Sequence, residues 1–215
     1  MKKKIILLGG GGHAKSVMDS IRTLGKYRIA GILDDPEKAG SQVLGVKITG
    51  SDRDLKDLYK KGIRYAAITV GSVGNTGTRR KLYELCKEAG YELPNIMDKS
   101  SLVSGNLRMG EGNFIGKGAV IGSGVVMGNG CIVNTGAILE HGCRLGDFVH
   151  IAPGSVLCGN VRIGENTHIG AHSTVIQDIS IGNDTVIGAG SLVLKNISPN
   201  QLAYGSPAKE ATIHE

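Results

Sequence analysis

From Ser101 to Asn196 the chain places an aliphatic residue at every sixth position without one insertion: Val103, Met109, Ile115, Ile121, Met127, Val133, Leu139, Leu145, Ile151, Leu157, Ile163, Ile169, Val175, Ile181, Ile187 and Val193. The residue that follows is glycine nine times, and the first position of each hexad is often small or β-branched. Neither a helical period of about 3.6 residues nor strict alternation gives this spacing. Short flat strands joined by tight corners do, so the pattern predicts a solenoid of sixteen six-residue steps, three to a coil and about five coils in all.

The first half follows another rule. Lys4 to Leu8 is an apolar run ended by Gly9 to Gly12, and His13 to Leu24 carries Val17, Met18, Ile21 and Leu24 at helical spacing. Further strands are expected at Ile29–Leu33 and Tyr65–Val70, and helices at Asp52–Lys60, opened by Ser51, and at Thr78–Ala89, closed by Gly90. Alternating strands and helices imply a small parallel sheet that holds its ligand at the carboxyl ends of the strands. The chain therefore divides into an α/β domain over residues 1–95 and an all-β solenoid with a tail over residues 96–215.

Composition supports a repeat fold: 34 glycines, no tryptophan and 4% aromatics leave the core to aliphatics. The apolar run after the basic start is too short for a signal peptide or a membrane span, so a cytoplasmic protein is expected. Cys86, Cys131, Cys143 and Cys158 lack CxxC spacing and read as free thiols. The net charge of +6 is uneven, with 18 Lys/Arg against 10 Asp/Glu in residues 1–95. Basic residues are not interleaved with aromatics, which points away from nucleic acid and toward a small anionic ligand.

An 18-residue coil stacks Gly159 above His141, His168 above His150 and Ala152 above Asn134, at roughly 4.8 Å per rung. Asn134 and Glu140 break the pattern where glycine is usual, and His141 follows at once. A lone histidine on such a surface is often only a solvated ring. Here the broken pattern, the stacked Gly159 and the nearby His150 favour chemistry.

The solenoid resembles the left-handed parallel β-helix of the hexapeptide-repeat acyltransferases. The stretches Asn134-Thr135-Gly136-Ala137-Ile138-Leu139-Glu140-His141 and Gly146-Asp147-Phe148-Val149-His150 are similar to a subgroup of sugar acetyltransferases. That subgroup holds nucleotide-sugar amino N-acetyltransferases, the UDP-N-acetylbacillosamine type among them, and sialic acid O-acetyltransferases. The resemblance implies His141 as general base, the Gly159 N–H as donor to the thioester carbonyl, and Asn134 beside them in the catalytic set. It implies acetyl-CoA as cosubstrate, with no metal, held by His150, Ala171, Ala189 and the tail residues Pro207 and Lys209. It also implies a homotrimer with sites at subunit interfaces and a role in polysaccharide biosynthesis. Where some relatives carry a carboxylate directly after the base, this chain has Gly142. Glu140 and Asp147 are substitutes, although neighbouring strand residues face opposite ways, which argues against Glu140. An amine acylated by a thioester sheds a proton that a neutral imidazole can take at pH 7, with no acyl-enzyme, so Cys158 reads as a wall residue.

Gly9 to Ala14 can be read as G-x-G-x-x-A between a strand and a helix, but about 95 residues supply only one mononucleotide half. A half-Rossmann unit suits one nucleoside diphosphate, with its pyrophosphate at the helix N-terminus. The resemblance assigns Gly11, Gly12, His13, Asp34, Asp35 and Gly71 to a nucleotide-sugar. Asp34-Asp35-Pro36 also reads as a capped turn, and Arg79 or Arg80 as a phosphate contact or a salt bridge. The expected activity is N-acetylation of a nucleotide-activated amino sugar, UDP-linked. The alternatives are sugar O-acetylation, a zinc hydratase using His141, His150 and His168, and a scaffold that binds sugar nucleotides without catalysis.

Overall fold

The computed structural model describes residues 2–211. Its contacts define two compact units: Met1–Ser72 with Gly77–Lys99, and Val73–Thr76 with Ser100–Glu215. The division after the α/β part thus falls at Lys99, and the four residues Val73–Thr76 group with the solenoid.

In the first unit β1 (Lys3–Leu8), β2 (Tyr27–Leu33), β3 (Gln42–Val43), β4 (Val46–Gly50) and β5 (Tyr65–Ile68) line up in the order β3-β4-β2-β1-β5. All neighbours are parallel except β3 and β4, an antiparallel hairpin missed by the sequence reading. Its turn, Leu44-Gly45, has positive φ at both residues, as the type I′ two-residue hairpin requires. Ile5 to Leu8 of the inner strand are buried. Helix α1 (Gly12–Leu24) buries Ala14, Val17, Met18 and Ile21 along one stripe and stops at Gly25, in the left-handed region at φ 70°, whose N–H returns to the Ile21 carbonyl at 3.3 Å. The expected Asp52–Lys60 helix starts as a tighter 3-10 turn at Asp52–Asp54, with Ser51 and Asp54 forming a capping box, before α2 (Leu55–Lys60). Leu55, together with Leu82 and Cys86 of α3 (Gly77–Glu88), packs with Ile6 and Leu8 of β1.

The second unit is a left-handed parallel β-helix. Each of the sixteen hexads forms one two-residue strand, from Leu102–Val103 to Leu192–Val193. Strands 18 residues apart pair in parallel register, Val120 with Ile138 and Ile138 with Val156 for example. Three faces result. The first holds Ile138–Leu139 and Val156–Leu157, the second Arg144–Leu145 and Arg162–Ile163, and the third His150–Ile151 and His168–Ile169. The repeated aliphatics are buried from Ile115 onward, because each points inward onto the rung above and below. Polar residues at first positions bury hydroxyls that find carbonyls: Ser155 donates to Gly170 O and Ser173 to Gly188 O, both at 2.8 Å. The tail ends the stack: Leu202–Tyr204 joins the third face in parallel, and Lys209–Ala211 folds back on it antiparallel.

Candidate active site

His141 and Gly159 share the corner between the first and second faces, one coil apart. A Cβ placed on Gly159 would lie 2.5 Å from Cε1 and 2.7 Å from Nε2 of His141, so the imidazole lies against the glycine backbone. The Gly159 carbonyl accepts the Asp178 N–H at 2.9 Å, whereas the Gly159 N–H donates to no acceptor among the described residues. A bare ring edge and a bare N–H thus stand together, the combination that acyl transfer uses as base and oxyanion donor.

Neither proposed carboxylate reaches this ring. Glu140 accepts the backbone N–H of His141 at 3.4 Å. Asp147 stands at the next corner, where it accepts the Asn129 backbone N–H at 2.7 Å and the Asn129 side-chain amide. The glycine that follows His141 has a local cause. Gly142 sits at φ 72°, and a Cβ there would collide with Oδ1 of Asn160.

The other solenoid residues assigned from the resemblance gather elsewhere. His150 and His168 pack edge to face on the third face, ring centroids 4.8 Å apart, both largely buried. Asn134 belongs to this group, its Nδ2 3.5 Å from Nε2 of His150. Ala171 and Ala189 occupy the corner between the third and first faces, and their N–H groups donate to no acceptor among the described residues. Pro207 and Lys209 lie in the tail that closes the stack; Lys209 pairs with Tyr204. Sequence spacing put His150 near His141; along the chain the second-face strand Arg144–Leu145 lies between them, so they occupy different parts of the coil. The N–H groups of Gly159, at one corner, and of Ala171 and Ala189, at another, are left as backbone donors among the described residues. Among the described residues no three His, Cys, Asp or Glu side chains are grouped as metal ligands.

A cavity of about 670 Å³ opens in the first unit at the carboxyl ends of β1, β2 and β5. Gly11, Gly12, His13, Asp34, Asp35 and Gly71 all line it. Gly11 caps α1 without a side-chain bond, leaving helix N–H groups turned to the cavity. Burial, helped by the Arg79 guanidinium, pushes the His13 imidazole down to about 4, so at neutral pH the ring is uncharged. Asp34 is mainly a tie. It accepts the N–H groups of Gly10 and Asp35, both at 2.7 Å, and the Lys38 ammonium at 2.9 Å. Burial raises its carboxyl, but these donors outweigh burial and hold it below the usual carboxylate range. Arg79 is 3% exposed and donates to Ser72, whereas Lys81 and Arg53 line the cavity. Of the cations the sequence reading missed, Lys81 stands one helical turn after Thr78, another lining residue.

A half-Rossmann unit with a cavity large enough for a nucleotide, followed by a hexapeptide β-helix with a histidine and a free amide at one corner, defines a hexapeptide-repeat acyltransferase. Residues 4–86 match the family described as PglD N-terminal domain, and residues 142–177 and 160–195 match bacterial transferase hexapeptide (six repeats). The GDP-perosamine N-acetyltransferase of Caulobacter crescentus, solved with CoA and GDP-perosamine, is similar at 35% identity over 97% of each chain, with a TM-score of 0.92. The acetyltransferase domain of PglB from Neisseria gonorrhoeae, solved with acetyl coenzyme A, is similar at 32% identity over 98% of this chain and 100% of that one, with a TM-score of 0.89. WeeI from Acinetobacter baumannii, at 21% identity over 98% of this chain and 100% of that one and a TM-score of 0.82, shares the fold. A comparison with curated proteins gave no match. The chain belongs to the nucleotide-sugar N-acetyltransferase family, and it is an acetyl-CoA-dependent sugar acetyltransferase. Among the described residues no helix is long and apolar enough to cross a membrane.

Proposed function

We propose that this enzyme transfers the acetyl group of acetyl-CoA to the amine of a nucleotide-activated amino sugar, directly and without an acyl-enzyme. The observation that carries the reading is the His141 ring lying against the uncapped amide of Gly159. Acetyl-CoA supplies an activated acyl group. His141 takes the proton that the attacking amine sheds and returns it to the departing thiol. The Gly159 N–H donates to the acyl oxygen as it gains charge, a kind of contact worth about 2.7 to 4 kcal/mol of barrier. Cys143, whose thiol burial pushes up to about 11, offers no nucleophile at neutral pH.

The first unit takes the nucleotide. Its cavity has room for a nucleoside diphosphate, with the pyrophosphate at the open turn of α1 and the base toward Asp35 and Ser51. UDP is the nucleotide expected from the chain's resemblance, while the Caulobacter relative was solved with a GDP-sugar. Because one chain carries His141 with Gly159 at a corner and His150 with Asn134 on the third face, the reading includes a homotrimer in which an adjoining copy completes each site. The setting is cytoplasmic glycan synthesis.

The test is an acetyl-transfer assay with UDP- and GDP-linked amino sugars and with free sialic acid, run on the wild type and on His141→Ala. Turnover on an amino-sugar nucleotide, lowered about 100- to 10,000-fold in the variant, is expected. Full turnover in His141→Ala, or activity on sialic acid alone, sinks the reading.

A further inference from the structure

Arg144 stands three residues beyond His141, and Arg162 three residues beyond Gly159. Both lie on the second face, directly opposite each other in parallel register, so their stems rise from adjacent rungs about 4.8 Å apart. The rungs on either side carry neutral residues, Val126 and Ser180. Neither guanidinium has a hydrogen bond or ion pair among the described residues. Like charges placed directly opposite on neighbouring strands repel, and among the described residues no carboxylate forms an ion pair with either arginine.

A cavity of about 340 Å³ opens where the two arginines meet the catalytic corner, with Gly142 and Asn160 on its wall, the residues that directly follow His141 and Gly159. Its one carboxylate, Asp178, accepts the Asn160 side-chain amide at 3.1 Å. The lining is therefore net positive, within about three extended residues, or ~10 Å, of the acyl-transfer corner.

We infer that Arg144 and Arg162 form a phosphate subsite beside the catalytic corner, filled by a phosphate group of one of the two substrates. This rests on the acyl-transfer reading only for the identity of those substrates. Paired forks of donors match the oxygens of a phosphate or diphosphate, and a bound dianion would remove the repulsion that the empty pair carries.

Calorimetry on the wild type and on the Arg144→Gln/Arg162→Gln double variant tests it, with CoA, UDP and GDP each titrated alone. Dissociation constants should rise about 10- to 100-fold for one ligand class and stay unchanged for the other, which names the source of the phosphate. The Arg144→Lys/Arg162→Lys variant should recover part of the loss. Raising salt to about 0.3 M should weaken that ligand in the wild type and much less in the glutamine variant. Affinities for all three ligands within about twofold of wild type overturn the inference. So does a changed oligomeric state by sedimentation with unaltered affinities, which makes the face a contact between copies. These constants do not depend on turnover, so they stand apart from the outcome of His141→Ala.

Discussion

His13 is held neutral by the fold. Its imidazole titrates at about 4 in the folded chain, against 6.5 for an ordinary histidine. Between those values the unfolded chain binds the extra proton, so this group's contribution is complete above about pH 6.5 and lost as pH falls to about 4, by at most about 3 kcal/mol. Urea unfolding at pH 7 and pH 4.5 should show a smaller fall in stability for His13→Gln than for the wild type; equal falls would contradict the shift. At the other site, Gly159→Ala introduces a Cβ that meets a movable ring and not a backbone. The variant should keep its melting temperature within a few degrees and lose turnover about 100-fold, because a displaced base acts poorly. Histidines and glycines marked both candidate sites in the sequence. What the residues alone could not give was orientation: Asp147 and Arg79 have the right chemistry but spend it on Asn129 and Ser72.

The corner of the solenoid obeys a rule that the aliphatic repeat conceals. Every sixth position from Gly112 to Gly190 has positive φ, and Phe148, Asn160, Asn166, His172, Asp178 and Asp184 adopt it without being glycine. The sequence reading caught the third and fourth positions of the hexad and missed the sixth, because asparagine and aspartate also tolerate the left-handed region and so blur the glycine signal. Gly142→Ala should cost about 1–2 kcal/mol in denaturant unfolding, from the backbone and from the crowding of Asn160. In the first unit the long elements were legible from periodicity. The hairpin of β3 and β4 was not, since two short strands around Leu44-Gly45 carry too few apolar positions to show a period.

At the scale of the molecule, the separation of His141 from His150 makes a concrete demand. If adjoining copies complete each other's sites, His141→Ala and His150→Ala chains, each impaired alone, should regain part of the wild-type rate when unfolded and refolded together. A mixture no faster than its components would show that each copy works alone. The fold-back at the carboxyl terminus has a different meaning. Gly205 and Ala208 bond both backbone groups of Leu192, Ile197 bridges Ile181, and Lys209–Ala211 lies antiparallel on Leu202–Tyr204. A ladder of parallel backbone left bare would recruit any extended segment that drifted by, as amyloid seeds do. By laying Leu202–Tyr204 and Lys209–Ala211 over its last rungs, with Lys209 and Glu210 in the covering strand, the solenoid masks the ladder that would otherwise template such growth.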